Sequence, residues 1–319
     1  MRIGQNPAKF VKQVARPEAV TLAVLTYIPA LSGFYAETLE VLKLCLKSLW
    51  DSTDQPYDLM IFDNGSCPEV QDVLLDYQRQ EKIQYLLLSS KNLGKGGAWN
   101  IIFDAAPGEF LAYADSDVLF YPGWLTRSLE LLNTYPNVGM VTSRPFRTPP
   151  AYYSRGLEWA RNTPGVQVEQ GQFIPWQTFL EFDLSLGQEE AEIRQHYEAT
   201  QDIRVTYNGV PAFLGGSHWQ FVARKSVLKQ FLPFQMDRPM GQVKQLDQRM
   251  NDAGYLRLMP TDPLVMNMSN TLLNVPGAGK ASTPPRQSSL ARRFLQLGPV
   301  KRSFLWLYDA IFRWYFVEK

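Results

Sequence analysis

The chain reads as an α/β protein built on an open, mostly parallel sheet with helices on both faces, followed by a C-terminal amphipathic helical tail. Three observations predict this. Short runs that are apolar at every position recur through the first half, and such runs suit strands buried on both faces. Segments with helical spacing separate them, as right-handed crossovers between parallel strands require. The composition, 45% hydrophobic and 20% charged over 319 residues, is that of a globular chain with enough apolar surface for a large core.

The elements follow in order. Val20–Tyr27 (VTLAVLTY) is the first apolar run, and Tyr35–Trp50 is helical, with Leu39, Leu42, Leu46 and Leu49 on one stripe. Leu59–Phe62 is the second strand. It runs into the turn Asp63-Asn64-Gly65-Ser66, and Pro68 is well placed to open a helix over about Val70–Gln80. Ile83–Leu88 is the third strand, Gly97–Ala105 the helix after it, Phe110–Ala114 the fourth strand, Gly123–Leu132 a helix and Val138–Ser143 the fifth strand. Beyond Pro149-Pro150 the pattern weakens. Residues 148–175 read as a long loop over a site, and Trp176–Thr200 contains an acidic helical segment. Arg204–Tyr207 and Phe213–Ala223 read as strands, the second interrupted by Gly215-Gly216. Val243–Ala253 is helical and closed by Gly254.

These segments divide the chain into an N-terminal extension (1–19), a first half (20–147), a second half (148–273), a linker (274–289) and the tail (290–319). In the tail, Phe304, Leu307, Tyr308, Ile311, Phe312 and Tyr315 form one stripe. Arg292, Arg293, Lys301, Arg302 and Arg313 surround it with positive charge. Such a helix suits a lipid interface, with Trp306 and Trp314 at headgroup depth, or a protein partner, including a second copy of the chain.

Several function classes are disfavoured. Lys plus Arg is 32 against 31 acids, so no global field draws the chain to nucleic acid. Two cysteines (Cys45 and Cys67) and two histidines (His196 and His218) argue against a disulfide framework or a multi-histidine metal centre. The first sixteen residues are polar and basic with no apolar core, so the expected setting is cytoplasmic, with peripheral membrane contact through the tail as an option.

The residues suited to chemistry gather at strand ends. The segment FLAYADSDVLF runs a buried strand into Asp115-Ser116-Asp117. Residues two apart in an extended chain face one side, so both carboxylates can converge at the carboxyl end of a strand, where open α/β sheets bind ligands. Convergent carboxylates repel unless a cation or protons intervene, and a hard divalent ion (Mg²⁺ or Mn²⁺) bridging them to phosphate is the natural solution. Asp63 ends the second strand, where it can accept from a nucleobase N–H or ribose hydroxyls. The loop from Asn92 to Asn100 (NLGKGGAWN) follows the third strand, with glycines for close backbone approach and Lys95 to meet phosphate. It matches neither a P-loop nor a dinucleotide fingerprint. Together the loops describe a nucleotide-diphosphate site.

In VTLAVLTY, FDNGS, NLGKGGAWN and YADSDV, and more loosely in FLGGSHWQFVARKSVL and LDQRMNDAGYLRL, the chain resembles family 2 glycosyltransferases of the GT-A fold. The resemblance implies a GT-A-like sheet and inverting, metal-assisted transfer of a sugar from a UDP, GDP or dTDP donor. The acceptor hydroxyl would lie on a glycan, a lipid-linked glycan or a small molecule. By that likeness Thr26, Tyr27 and Asp63 line the nucleoside pocket, Asp115 touches ribose or metal, and Asp117 ligates metal and diphosphate. His218 and Trp219 face the sugar and acceptor, Trp219 as an aromatic platform. Where the family carries a pair of acids, this chain reads GQVKQLDQR; Asp247 is the only acid there and the expected general base, with Asp237 and Asp252 as rivals. Where family members often place a metal-binding His, Asn267 stands, offering an amide oxygen. His196 is expected to face solvent, and Trp99 and Trp124 to lie in the core. The alternatives are a catalytically inactive nucleotide-sugar-binding module, which the replaced acid pair favours, and a sugar nucleotidyltransferase. The latter needs a Gly-rich, Arg-containing loop after the first strand, where Thr26-Tyr27-Ile28-Pro29 stands instead.

Overall fold

The computed structural model describes residues 3–236, 243–273 and 275. The expected linker apart from Val275, the C-terminal helix, and Asp237 with Gly241 and Gln242 lie outside the described residues.

The first half alternates strand and helix: β1 (Val20–Thr26), α1 (Thr38–Ser52), β2 (Asp58–Asp63), α2 (Pro68–Arg79), β3 (Tyr85–Leu88), α3 (Gly94–Ala105) and β4 (Phe110–Asp115). Then come the short β5 (Val118–Phe120), α4 (Trp124–Thr134) and β6 (Val138–Val141). Every residue of β1 is buried, so both faces of the sheet are covered there. Pro68 opens α2, where its missing N–H costs no helical bond.

One ten-stranded sheet runs β3-β2-β1-β4-β10-β6-β11-β9-β8-β7. Here β7 is Gln167–Gly171, β8 Asp202–Tyr207, β9 Val210–Leu214, β10 Gln220–Arg224 and β11 Leu256–Met259. The β1–β2, β2–β3, β1–β4 and β6–β11 pairs are parallel. The pairs β4–β10, β10–β6, β11–β9, β9–β8 and β8–β7 are antiparallel. The expectation of a mostly parallel sheet therefore holds for the first four strands and gives way to a mixed sheet. One antiparallel pair is a hairpin, in which Asn208 and Gly209, both at positive φ, link β8 to β9 in a tight turn; the others pair strands from distant parts of the chain.

Two further expectations are corrected. Residues 148–175 are not one long loop: they form α5 (Ser154–Asn162) and the edge strand β7. Phe213–Ala223 is not one interrupted strand. The chain leaves the sheet after Leu214, and β10 enters it three positions away, with β11 and β6 between. The segment after β7 is two helices, α6 (Trp176–Ser185) and α7 (Glu190–Ala199). The last elements are α8 (Lys225–Leu228), α9 (Lys244–Asp252) and β12 (Val265–Asn267), and β12 pairs antiparallel with β5. Gly254 follows α9 with φ +80°, the left-handed residue expected after a helix end.

Below the carboxyl ends of β1 and β4 lies an aromatic core. Trp99 and Phe103 of α3 stack at 5.1 Å, Trp99 meets Tyr113 edge-on at 5.3 Å, and Tyr113 stacks on Phe221 at 5.3 Å. These rings are fully buried. Trp124 is likewise in the core, and His196 is exposed on α7. Cys45 and Cys67 are free thiols.

Candidate active site

The strand β4 ends at Asp115, and Ser116-Asp117 turn the chain into β5, so the two carboxylates do not continue one extended strand. Their surroundings differ. Asp115 Oδ2 accepts from Lys95 Nζ at 2.6 Å and its Oδ1 accepts from the Tyr113 hydroxyl at 2.6 Å. Asp117 Oδ1 is buried and has no hydrogen-bond partner. Burial, reinforced by the Asp115 carboxylate and opposed by the Lys95 ammonium, pushes the Asp117 carboxyl up to about 7. Burial and then Asp115 also push the Tyr113 hydroxyl up, so it remains a donor to Asp115. An acid oxygen left unpaired beside a second carboxylate is the electrostatic situation that a cation resolves.

Lys95 does not stand in a loop. The helix α3 begins three residues before the expected start, and just ahead of it Asn92 Oδ1 accepts from Gly94 N–H at 2.7 Å. Lys95 thus lies in the first turn of α3, with Nζ 5.5 Å from the ring centres of Trp99 and Tyr113. Asn267 is brought beside the acids: it pairs with Val118 across β12–β5, and Met268 N–H donates to the Asp117 carbonyl at 2.8 Å. Its amide oxygen accepts from Ser269 N–H at 2.8 Å. Among the described residues no group of three or more His, Cys, Asp and Glu side chains is placed to hold a metal ion.

Register places Thr26 opposite Asp63 and Leu25 opposite Asp115, so three predicted residues share one edge of the sheet. Thr26 Oγ1 is buried without a partner, and the neighbouring Tyr27 is 37% exposed. Asp63 is wholly buried. Its two oxygens accept from Ser66 N–H at 3.2 Å each, and Oδ2 accepts from Gln71 Nε2 at 2.8 Å. In this arrangement Asp63 holds the turn that follows β2, next to Tyr27. Asn64 joins this turn to the next loop, donating to Asn92 Oδ1 at 2.9 Å and accepting from Leu93 N–H at 2.8 Å. Gly65 makes that approach possible. Its φ is +89°, and a Cβ there would lie 3.0 Å from the Lys91 carbonyl carbon.

On the far side of β4 the structure brings together His218, Asp247 and Arg257. His218 Nδ1 lies 2.7 Å from Asp247 Oδ2, and Arg257 Nη2 donates to Asp247 Oδ1 at 2.7 Å. Arg257 also donates to the Gly216 carbonyl and, at 2.9 Å, to the Tyr152 carbonyl. Burial lowers the Arg257 guanidinium while Asp247 opposes that shift. Asp247 is 6% exposed with both oxygens engaged, so it does not offer an acceptor a free carboxylate. Trp219 is 7% exposed and stacks on Phe182 at 5.7 Å, so the expected open aromatic platform is instead a packing residue. Its carbonyl accepts from Asp115 N–H at 2.9 Å, which ties the His218 segment to the acids.

Sequence reading passed over Tyr113 and Arg257. The signals were present: Tyr113 is two residues before Asp115 and so shares its side of the strand, and Arg257 interrupts an otherwise apolar run, LRLM.

Residues 33–183 match the family model described as glycosyl transferase family 2. An uncharacterized glycosyltransferase of Nostoc sp. is 32% identical over 100 residues, which are 31% of each chain. Another, from Methanocaldococcus jannaschii, is 22% identical over 110 residues, 34% of this chain and 38% of the relative. The matched segment thus spans about a third of the length of these curated relatives. Among solved structures, a mannosyltransferase from Pyrobaculum calidifontis in complex with GDP-Man and Mn²⁺ aligns with a TM-score of 0.46. Its identity is 16%, over 77% of this chain and 55% of that one. S. aureus TarS (residues 1–349) aligns with a TM-score of 0.47 and 13% identity, over 79% of this chain and 60% of that one. Over residues 33–183, just under half of its length, the chain is similar to glycosyl transferase family 2.

Proposed function

We propose that the protein transfers a sugar from a nucleotide-diphosphate donor to an acceptor hydroxyl with inversion at the anomeric carbon, using a divalent cation. The observation that carries this reading is the unpaired, buried Asp117 oxygen beside Asp115, at the carboxyl end of β4 and next to Lys95. Residues 20–147 serve the donor and residues 148–273 the acceptor.

The residues present fit a cation. Asp117 and Asp115 would hold it, with Asn267 alongside, and Mn²⁺ or Mg²⁺ there supplies charge neutralisation for the departing diphosphate. Lys95, in the first turn of α3, adds a second positive charge beside the diphosphate, and the α3 N-terminus favours the same anion. Thr26 Oγ1 needs a partner and Tyr27 presents an exposed ring, which together suit a nucleoside. Asn92 and Ser116 frame the donor from either side. The acceptor oxygen attacks the anomeric carbon from the face opposite the diphosphate, which requires a group on that side to take its proton.

Melting of the protein with UDP, GDP or dTDP, with and without Mn²⁺, tests the reading. One nucleotide at about 100 Kd should stabilise by about 2.7 kcal/mol. That shift should need Mn²⁺ and vanish in Asp117→Ala. No shift with any of the three nucleotides would refute the proposal.

A further inference from the structure

We infer that His218 is the group that takes the acceptor proton, with Asp247 and Arg257 as the residues that position it. The inference rests on the glycosyl-transfer reading above and goes beyond it by naming the proton acceptor. The expected base, Asp247, is buried under His218 with both oxygens engaged by His218 and Arg257. Its rival Asp252 accepts from Gln248 at 2.8 Å on the exposed face of α9.

The geometry points to the histidine. Paired with Arg257, the Asp247 carboxylate only accepts, so the hydrogen between it and the ring belongs to Nδ1 of His218. In the neutral ring the lone pair then lies on Nε2. Nε2 has no hydrogen-bond partner among the described residues, and the His218 side chain keeps 19% of its surface exposed. The ring stands edge-on to Trp99 at 6.4 Å, and the same indole carries Lys95 Nζ at 5.5 Å from its centre. His218 is therefore one packed ring away from the Lys95–Asp115 pair. Its neighbour Trp219 is bonded to Asp115 through the backbone.

The segment that presents His218 is braced. Ser217 N–H donates to Thr142 Oγ1 at 2.8 Å, the Thr142 hydroxyl donates to the Ser217 carbonyl at 3.0 Å, and Gly215 N–H donates to the Arg257 carbonyl at 2.9 Å. Gly215 has φ +133° and is pressed against Thr148, a place only glycine fits. Arg257 holds the Gly216 carbonyl with one arm and Asp247 with the same nitrogen, so one guanidinium fixes both the loop and the carboxylate behind the ring.

In the transfer, the acceptor O–H bond breaks and its proton passes to Nε2. The oxygen electron pair forms the bond to the anomeric carbon. The bond from that carbon to the diphosphate oxygen breaks, and its electrons leave on the nucleoside diphosphate. The imidazolium, stabilised by Asp247, then releases the proton to solvent.

The test uses the untagged full chain, which has only two histidines, so the imidazole nitrogens can be followed one by one. Long-range ¹H–¹⁵N spectra of the neutral protein should show His218 with its hydrogen on Nδ1. Asp247→Asn should disturb that signal and leave His196 in place. Release of nucleoside diphosphate from UDP-glucose, UDP-N-acetylglucosamine and GDP-mannose with Mn²⁺, water serving as acceptor, should fall at least about 100-fold in His218→Gln. Affinity for the nucleoside diphosphate should stay within about twofold, and added imidazole should restore part of the turnover of His218→Ala. A hydrogen on Nε2, or unimpaired turnover in His218→Gln, overturns the inference. Failure of the wild type to bind any of these donors or their nucleotides counts instead against the glycosyl-transfer reading.

Discussion

Replacing Asp117 with Asn should stabilise the cation-free protein while abolishing its response to cation. Burial and the Asp115 charge raise the Asp117 carboxyl from 3.8 to about 7. The folded chain therefore keeps a proton that the unfolded chain releases between about pH 4 and 7. The group's favourable contribution is complete below about pH 4, declines as pH rises and is gone above about 7. A shift of that size corresponds to roughly 2–4 kcal/mol at most, at about 1.4 kcal/mol per pH unit. At pH 8 without cation, Asp117→Asn should be more stable than the wild type by a sizeable part of that amount. At pH 4 the two should be nearly equal. Mn²⁺ with the cognate nucleotide should reverse the order at pH 8, because only the wild type gains binding energy. Differential scanning calorimetry from pH 4 to 8.5, in EDTA and in Mn²⁺, reads all of this as the difference between two proteins, so other titrating groups cancel. A wild-type-minus-variant difference that stays flat with pH would refute the argument that Asp117 is forced to hold a proton.

Three further outcomes follow from the same geometry. Lys95→Met removes the ammonium that lowers Asp117, so the pH step just described should move upward and nucleotide affinity should fall; calorimetric pH scans and titration with UDP or GDP check both. Gly65→Ala should cost more than Gly165→Ala in urea denaturation. Both have positive φ and lose about 1 kcal/mol for the backbone, but only Gly65 also presses on its neighbours. Arg257→Met leaves Asp247 buried without its guanidinium and should destabilise by about 3–5 kcal/mol, with part recovered in Arg257→Met/Asp247→Leu; denaturation midpoints measure both.

Much of the first half was legible because its signals are local. Apolar runs marked β1, β2 and β4, Pro68 marked the start of α2, and Gly254 marked the end of α9. The Asp115-Ser116-Asp117 turn stands at the carboxyl end of a buried strand, where the pattern of FLAYADSDVLF placed it. What could not be read depends on how distant segments meet. The antiparallel half of the sheet was hidden because β9 and β10, adjacent in sequence, have two other strands between them in space. Asp63 gave no sign that its carboxylate would close on Ser66 and Gln71, since an acid at a strand end can equally face a ligand. The His218–Asp247–Arg257 arrangement joins a loop, a helix and a strand, and no spacing rule connects residues 29 positions apart.

The whole account rests on Asp115 and Asp117 gripping a cation together with a nucleoside diphosphate. Anomalous diffraction at the manganese edge, from crystals grown with Mn²⁺ and whichever of UDP, GDP or dTDP stabilises the protein, tests this most directly. One strong peak is expected in contact with the Asp117 carboxylate and the diphosphate oxygens, with the nucleoside against Thr26 and Tyr27. A bound nucleotide whose diphosphate lies away from Asp117, with no manganese between them, would contradict it.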